Sequence, residues 1–91
     1  EPLDDEAFPA VRLAQQVGAA GGTHPAVYNA ANEVGVDAFH DGAARFTDIV
    51  DTIEQVLQRH DDARFDAHTV EGVLAADAWA RDEAAGLLAS A

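Results

Sequence analysis

The chain has 91 residues, 48% of them hydrophobic, no cysteine, and 17 acidic against 5 basic side chains, for a formal charge of -12. That length supports one domain with one modest core, and the missing cysteines exclude disulfide and thiol chemistry. The acidic balance repels phosphate backbones and anionic membranes, and no apolar run nears the roughly 20 residues that span a bilayer, so neither nucleic acid nor membrane is expected as a partner.

Glu1-Pro2-Leu3-Asp4 opens the chain without a methionine and without a charged-then-apolar leader, which reads as a cytoplasmic piece of a longer polypeptide. A first helix is predicted from Phe8 to Val17, with Pro9 in its first turn and Gly18 ending it. After the loop of small residues from Gly18 to Gly22, Thr23 is positioned to cap a second helix carrying Pro25 in its first turn and ending near Gly42. In this helix Asn29, Asn32 and Glu33 recur at i, i+3 and i+4 on one side, while Val27, Ala31, Val34 and Ala38 form a core stripe. Tyr28, Val36 and Phe39 add apolar surface outside that stripe, so this is the candidate central helix. Gly35 in its interior costs about 1 kcal/mol relative to alanine, a cost that makes sense if a neighbouring helix passes close by.

Ile49, Val50, Ile53, Val56 and Leu57 share one arc of a third helix, with Thr47 as its expected cap. Asp48, Asp51 and Glu54 lie on its outer or early turns, and Arg59 and His60 complement its C-terminal end. Asp61 to His68 read as a polar connection, after which Thr69 caps a fourth helix running towards Leu88. Val70, Val73, Leu74, Ala84 and Leu88 define its apolar face on a wheel. Asp77 and Arg81 fall at i and i+4 in the middle of that stripe, an arrangement that predicts a partly buried ion pair, and Trp79 projects from the opposite side. The architecture expected from these segments is all-α, a small antiparallel four-helix bundle occupying residues 1–91.

Three stretches carry a resemblance: Gly21-Gly22 followed by Pro25-Ala26-Val27-Tyr28-Asn29-Ala30-Ala31-Asn32-Glu33, then Arg45-Phe46-Thr47-Asp48-Ile49, then Val73-Leu74-Ala75-Ala76-Asp77-Ala78-Trp79-Ala80-Arg81. In order and spacing, and with Phe8-Pro9 near the start, they resemble the C-terminal domain of the 1-deoxy-D-xylulose 5-phosphate reductoisomerases over nearly the whole chain. The resemblance implies a small helical bundle attached to an enzyme that rearranges 1-deoxy-D-xylulose 5-phosphate and reduces the product with NADPH to 2-C-methyl-D-erythritol 4-phosphate, in non-mevalonate isoprenoid synthesis. It also implies a divalent cation, Mg²⁺ or Mn²⁺, and a homodimeric parent whose nucleotide-binding and catalytic domains lie upstream. No catalytic, cofactor or metal residue carries over to this chain. What carries over is a structural or interdomain role for Asn29, Asn32, Glu33, Asp77 and Arg81. Gly35, His40 and the short Ala43-Ala44 pair depart from the family pattern without suggesting a new active site.

His24, His40, His60 and His68 coexist with many carboxylates, but no compact ligand spacing such as H-E-x-x-H joins them, and solvated histidines are the expectation. Serine occurs only at Ser90, and no glycine-rich phosphate loop follows a strand, so no nucleophile or nucleotide site is expected here. The competing functional reading is a freestanding acidic helical adaptor for a basic protein.

Overall fold

The computed structural model describes Gln15, Val17 and residues 19–90. Most of the expected first helix lies outside these residues. Gln15, Val17, Ala19 and Ala20 are helical, so the helix end falls beyond the Gly18 position assigned from sequence. The Gly21 N–H donates to the Val17 carbonyl at 3.1 Å, and Gly21 and Gly22 turn the chain with φ of 67° and 58°.

Three further helices follow: α1 at His24–His40, α2 at Phe46–Arg59 and α3 at Val70–Ser90, with a short 3-10 turn at Asp62–Arg64 before α3. No strand occurs among the described residues. The all-helical class is therefore correct, while the described residues comprise three complete helices and not a four-helix bundle. Helix α1 packs on both α2 and α3 and holds the central place expected of it.

Val27, Ala30, Ala31 and Gly35 are the buried residues of α1; Val34 and Tyr28 pack partly against the core. Val27 and Ala31 belong to the expected stripe, whereas Ala30 and Gly35 do not. The cause is close helix packing: a Cβ on Gly35 would lie 2.8 Å from Ile49 Cγ2 of α2, so glycine is what lets α2 approach. Helix α2 buries Ile49, Val50, Thr52, Ile53 and Val56, and Leu57 packs partly, close to the predicted arc. Fully burying a side chain such as Ile53 or Val56 is worth about 1.5–3 kcal/mol, so this arc supplies much of the core's driving force.

Two caps differ from the sequence reading. Arg45, not Thr47, is the residue before α2, and its N–H donates to the Asp48 carboxylate at 2.9 Å. A carboxylate three residues on satisfies the orphan N–H and complements the helix dipole, a service an exposed Thr47 hydroxyl inside the first turn does not provide. Thr23 precedes α1 as expected, but its side chain makes no capping bond and turns instead to the segment after α2. Thr69 does cap α3, accepting from the Gly72 N–H at 3.0 Å.

The apolar face assigned to α3 is corrected. Its buried residues are Ala76, Ala80 and Ala84, all fully inaccessible, whereas Val70 and Leu74 are 71% and 62% exposed. Ala84 belongs to the expected face and is buried, and Val73 and Leu88 are half-buried, but a wheel weighted by large side chains turns the face away from Ala76 and Ala80, because close approach to the neighbouring helices selects alanine. Trp79, placed opposite the core from sequence, packs against the core cluster instead. Phe65 does the same from within the segment read as a polar connection.

Gly35→Ala should lower the melting temperature despite the better helix propensity of alanine, because overpacking costs about 1–3 kcal/mol. In a double-mutant cycle with Ile49→Ala the two losses should be clearly less than additive; additive losses would mean that Gly35 and Ile49 do not limit the α1–α2 separation.

Candidate functional site: a surface ion network and a buried polar hub

The polar positions of α1 and α3 meet. Asn29 Nδ2 donates to Glu33 Oε2 at 2.8 Å one turn along α1. Arg81 then spans two helices, donating through Nε to Asp77 Oδ1 at 2.6 Å and through its Nη2 to Glu33 Oε2 at 3.3 Å. Asp77 and Arg81 are 30% and 40% exposed and Glu33 51%, so the Asp77–Arg81 pair is half-buried rather than embedded in the core. The hydrogen bond to Asp77, followed by the charges of Asp77 and Glu33, holds the Arg81 pKa above its ordinary value. Asn32 stands apart: it is half-buried, and among the described residues its amide has no hydrogen-bond partner. Four of the five residues singled out from sequence thus form one network, and the fifth lies beside it.

A second polar cluster joins the start of α1 to the segment after α2. Thr23, with no exposed surface, donates its N–H to Asp62 Oδ1 at 2.7 Å and its hydroxyl to the same oxygen at 2.5 Å. Since that proton is committed to Asp62, the 2.9 Å contact between Thr23 Oγ1 and His60 Nε2 requires His60 Nε2 to donate. Nδ1 of His60 is then the bare nitrogen, and it is buried without a partner among the described residues. Gly22 is required for this arrangement on two counts, since its φ is 58° and a Cβ there would lie 2.5 Å from an Asp62 carboxylate oxygen.

Rings close the hub. His24 meets His60 edge-on at 4.4 Å between centroids, and its Nδ1 donates to the Gly21 carbonyl at 3.1 Å. Phe65 stacks on His60 at 6.0 Å, and Trp79 tilts against both. His40 and His68 are exposed as expected, but His60 is not solvated: its side chain is fully buried. Burial, then the adjacent His24, hold its pKa below 6.5 against the opposing pull of Asp62 and Asp61. The Thr23 hydroxyl, then the Thr23 N–H, hold the Asp62 carboxyl below 3.8.

His24, His60 and Asp62 could offer three metal-ligand atoms within 4.8 Å of one another. The donor chemistry does not fit a metal. Ligation through His60 Nε2 would move the ring proton to Nδ1, a buried position without an acceptor, whereas metal-bound imidazoles donate their second N–H. The cluster works as a hydrogen-bonded staple between two chain segments 37 to 39 residues apart. No local spacing announced it; the nearest sequence signals were the Gly21-Gly22-Thr23-His24-Pro25 run and the His60-Asp61-Asp62 triplet, which nothing in the sequence connects.

The family model of the DXP reductoisomerase C-terminal domain matches residues 1–83. The chain belongs to this family. It is 57% identical over 88 residues to the 1-deoxy-D-xylulose 5-phosphate reductoisomerase of Nocardia farcinica, covering 97% of this chain and 22% of that protein. With the enzyme of the same name from an Arthrobacter species it shares 62% identity over 81 residues, covering 89% of this chain and 20% of the relative. The solved reductoisomerase of Zymomonas mobilis, in complex with NADPH, is similar along 100% of this chain and 24% of its own, with a TM-score of 0.89 and 42% identity. The chain therefore spans less than a quarter of the length of these relatives. The two polar clusters are thus features of a reductoisomerase C-terminal domain, and no described helix is long and apolar enough to cross a membrane.

Thr23→Val should destabilise the domain by about 1–3 kcal/mol, because it strands the His60 N–H and removes a donor from Asp62, while Thr23→Ser should recover most of the loss in chemical denaturation. The pH dependence has a definite sign. A histidine whose folded pKa lies below its unfolded value of 6.5 contributes stability in full above that pH, and loses it as pH falls towards the folded pKa. Denaturation midpoints should accordingly decline as pH falls below 6.5, and His60→Gln should flatten that slope; an unchanged slope in the variant would assign the decline to other groups.

Proposed function

We propose that this chain is the noncatalytic C-terminal domain of a full-length, NADPH-dependent reductoisomerase that converts 1-deoxy-D-xylulose 5-phosphate to 2-C-methyl-D-erythritol 4-phosphate. The observation that carries this reading is the match of residues 1–83 to the family's C-terminal domain model, joined to relatives of that name about four times as long. The NADPH bound to the Zymomonas mobilis reductoisomerase supports the nicotinamide as hydride donor in the parent enzyme. Mg²⁺ or Mn²⁺ would supply carbonyl polarisation to the parent. The family resemblance assigns both to upstream domains of the same polypeptide.

In this reading the domain completes an antiparallel four-helix bundle with the segment from Phe8 to Val17, in a cytoplasmic, homodimeric parent. Its own task is mechanical. Asn29, Asn32 and Glu33, steadied by Arg81 and Asp77, form the polar part of the face held against the rest of the enzyme. Supporting this is the cross-helix bridge from Arg81 to Glu33, which pre-organises that face. The adaptor reading has less support, because relatives align with this chain as one part of a longer protein.

The continuous coding frame around Glu1, expressed whole, should oxidise NADPH in the presence of 1-deoxy-D-xylulose 5-phosphate and a divalent cation. A frame that starts immediately before Glu1, or a long product without that activity, would overturn the assignment. In the whole protein Asn32→Leu should lower the melting temperature or impair turnover; unchanged melting and kinetics would mean that this position faces solvent.

A further inference from the structure

The turn that ends α1 carries the chain's single Asp–Gly pair, Asp41-Gly42, and the sequence has no Asn–Gly pair. In an Asp–Gly pair the glycine nitrogen has no Cβ beside it to obstruct attack on the preceding side-chain carboxyl. A bond from the Gly42 nitrogen to Asp41 Cγ closes a five-membered succinimide and expels one water. Addition of one water at the ring's α-carbonyl then breaks the original peptide bond and leaves the main chain running through Cγ, as an isoaspartate. The product is an isomer of the starting chain, so no oxidant, reductant or cofactor is consumed.

The side-chain surroundings favour this chemistry. Both residues are exposed, a Cβ on Gly42 would meet nothing within 4 Å, and the Asp41 carboxylate has no hydrogen-bond or ion-pair partner among the described residues. The backbone opposes it. Gly42 takes a φ of 76° and donates its N–H to the Phe39 carbonyl at 3.1 Å, while the Ala43 N–H donates to the Ala38 carbonyl at 2.8 Å. These are the paired bonds of a glycine-terminated helix cap. Asp41 is held helical at φ -79° and ψ -3°, which turns the Gly42 nitrogen away from Cβ, whereas ring closure needs the two eclipsed across the Cα–C bond. The attacking nitrogen must also give up the proton it shares with Phe39.

We propose that Asp41-Gly42 is a latent isoaspartate-forming site that the cap of α1 holds closed, so that it converts only when the last turn of that helix opens. The modification then records the opening irreversibly. An isoaspartate at 41 adds one main-chain carbon before Gly42, which moves the 42 and 43 amides out of register with the Phe39 and Ala38 carbonyls and loosens the connection to α2.

The test follows isoaspartate at 41 by electron-transfer fragmentation mass spectrometry during incubation at neutral pH, in the full-length protein and in a peptide of residues 38–46. Conversion should be at least ~10-fold slower in the native protein than in the peptide, the ratio that a cap open less than about a tenth of the time imposes. Ala43→Pro removes the N–H given to Ala38 and should bring the native rate towards that of the matching variant peptide. Val56→Ala loosens the core and leaves the cap residues unchanged, and for the same fall in melting temperature it should accelerate conversion far less. Equal rates in native protein and peptide would overturn the proposal, as would equal acceleration by Val56→Ala and Ala43→Pro, which would make global unfolding the gate. A peptide that does not convert would reject the site itself.

Discussion

The close approach of α1 to its neighbours is the constraint on which the rest of the domain depends. Gly35 admits Ile49 of α2, and the alanines at 30 and 31 in α1 and at 76, 80 and 84 in α3 are all fully buried. Small side chains bring helix axes close and rely on dense van der Waals packing rather than on bulky apolar volume. This leaves much of the larger apolar burial to the α2 arc of Ile49, Val50, Ile53 and Val56. In α3 it leaves Val70 and Leu74 exposed, while Trp79 and Leu87 pack against the edge of the core.

Helices packed this closely need their connections pinned, and the hub at Thr23, His60 and Asp62 does this where two chain segments cross. Each polar group there answers to another: the Thr23 hydroxyl serves as acceptor for His60 and donor to Asp62, and Asp62 also accepts the Thr23 N–H. Thr23 and the His60 side chain are buried while Asp62 is 44% exposed, so the loss of Thr23 leaves the His60 N–H without an acceptor, whereas Asp62 can turn to solvent. Phe65 and Trp79 shield the hub, and Trp79 connects it to the core face of α3. The Arg81 bridge to Glu33 links α1 and α3 from the surface, where solvent screening makes its role one of orientation more than stability.

Much of the helical content was legible, for reasons that can be named residue by residue. Pro25, Gly42, Thr69 and the Ile49–Leu57 arc are local signals, set by backbone sterics, capping geometry and a 3.6-residue period. The face of α3 was not legible, because alanine is nearly neutral on any hydrophobicity wheel and is chosen by the distance to a neighbour that the wheel does not contain. The caps failed at Thr23 and Thr47 for a related reason: Thr23 has stronger partners in Asp62 and His60 than a helix N-terminus offers, and at α2 the carboxylate of Asp48 takes the capping role. The candidate site was half legible. The i, i+4 spacings of Asn29 with Glu33 and of Asp77 with Arg81 predicted pairs within each helix, but not that Arg81 would join the two across 48 residues.

The sequence by itself determined an acidic, cysteine-free helical domain, the approximate places of its helices, and a resemblance specific enough to assign the family, because composition, period and ordered motifs are all properties of a chain read locally. The tertiary structure decided which face of each helix is inside, which histidine is buried, and which polar residues meet. Those outcomes depend on distances between segments some forty residues apart, and a helix carries no local record of what will be packed against it.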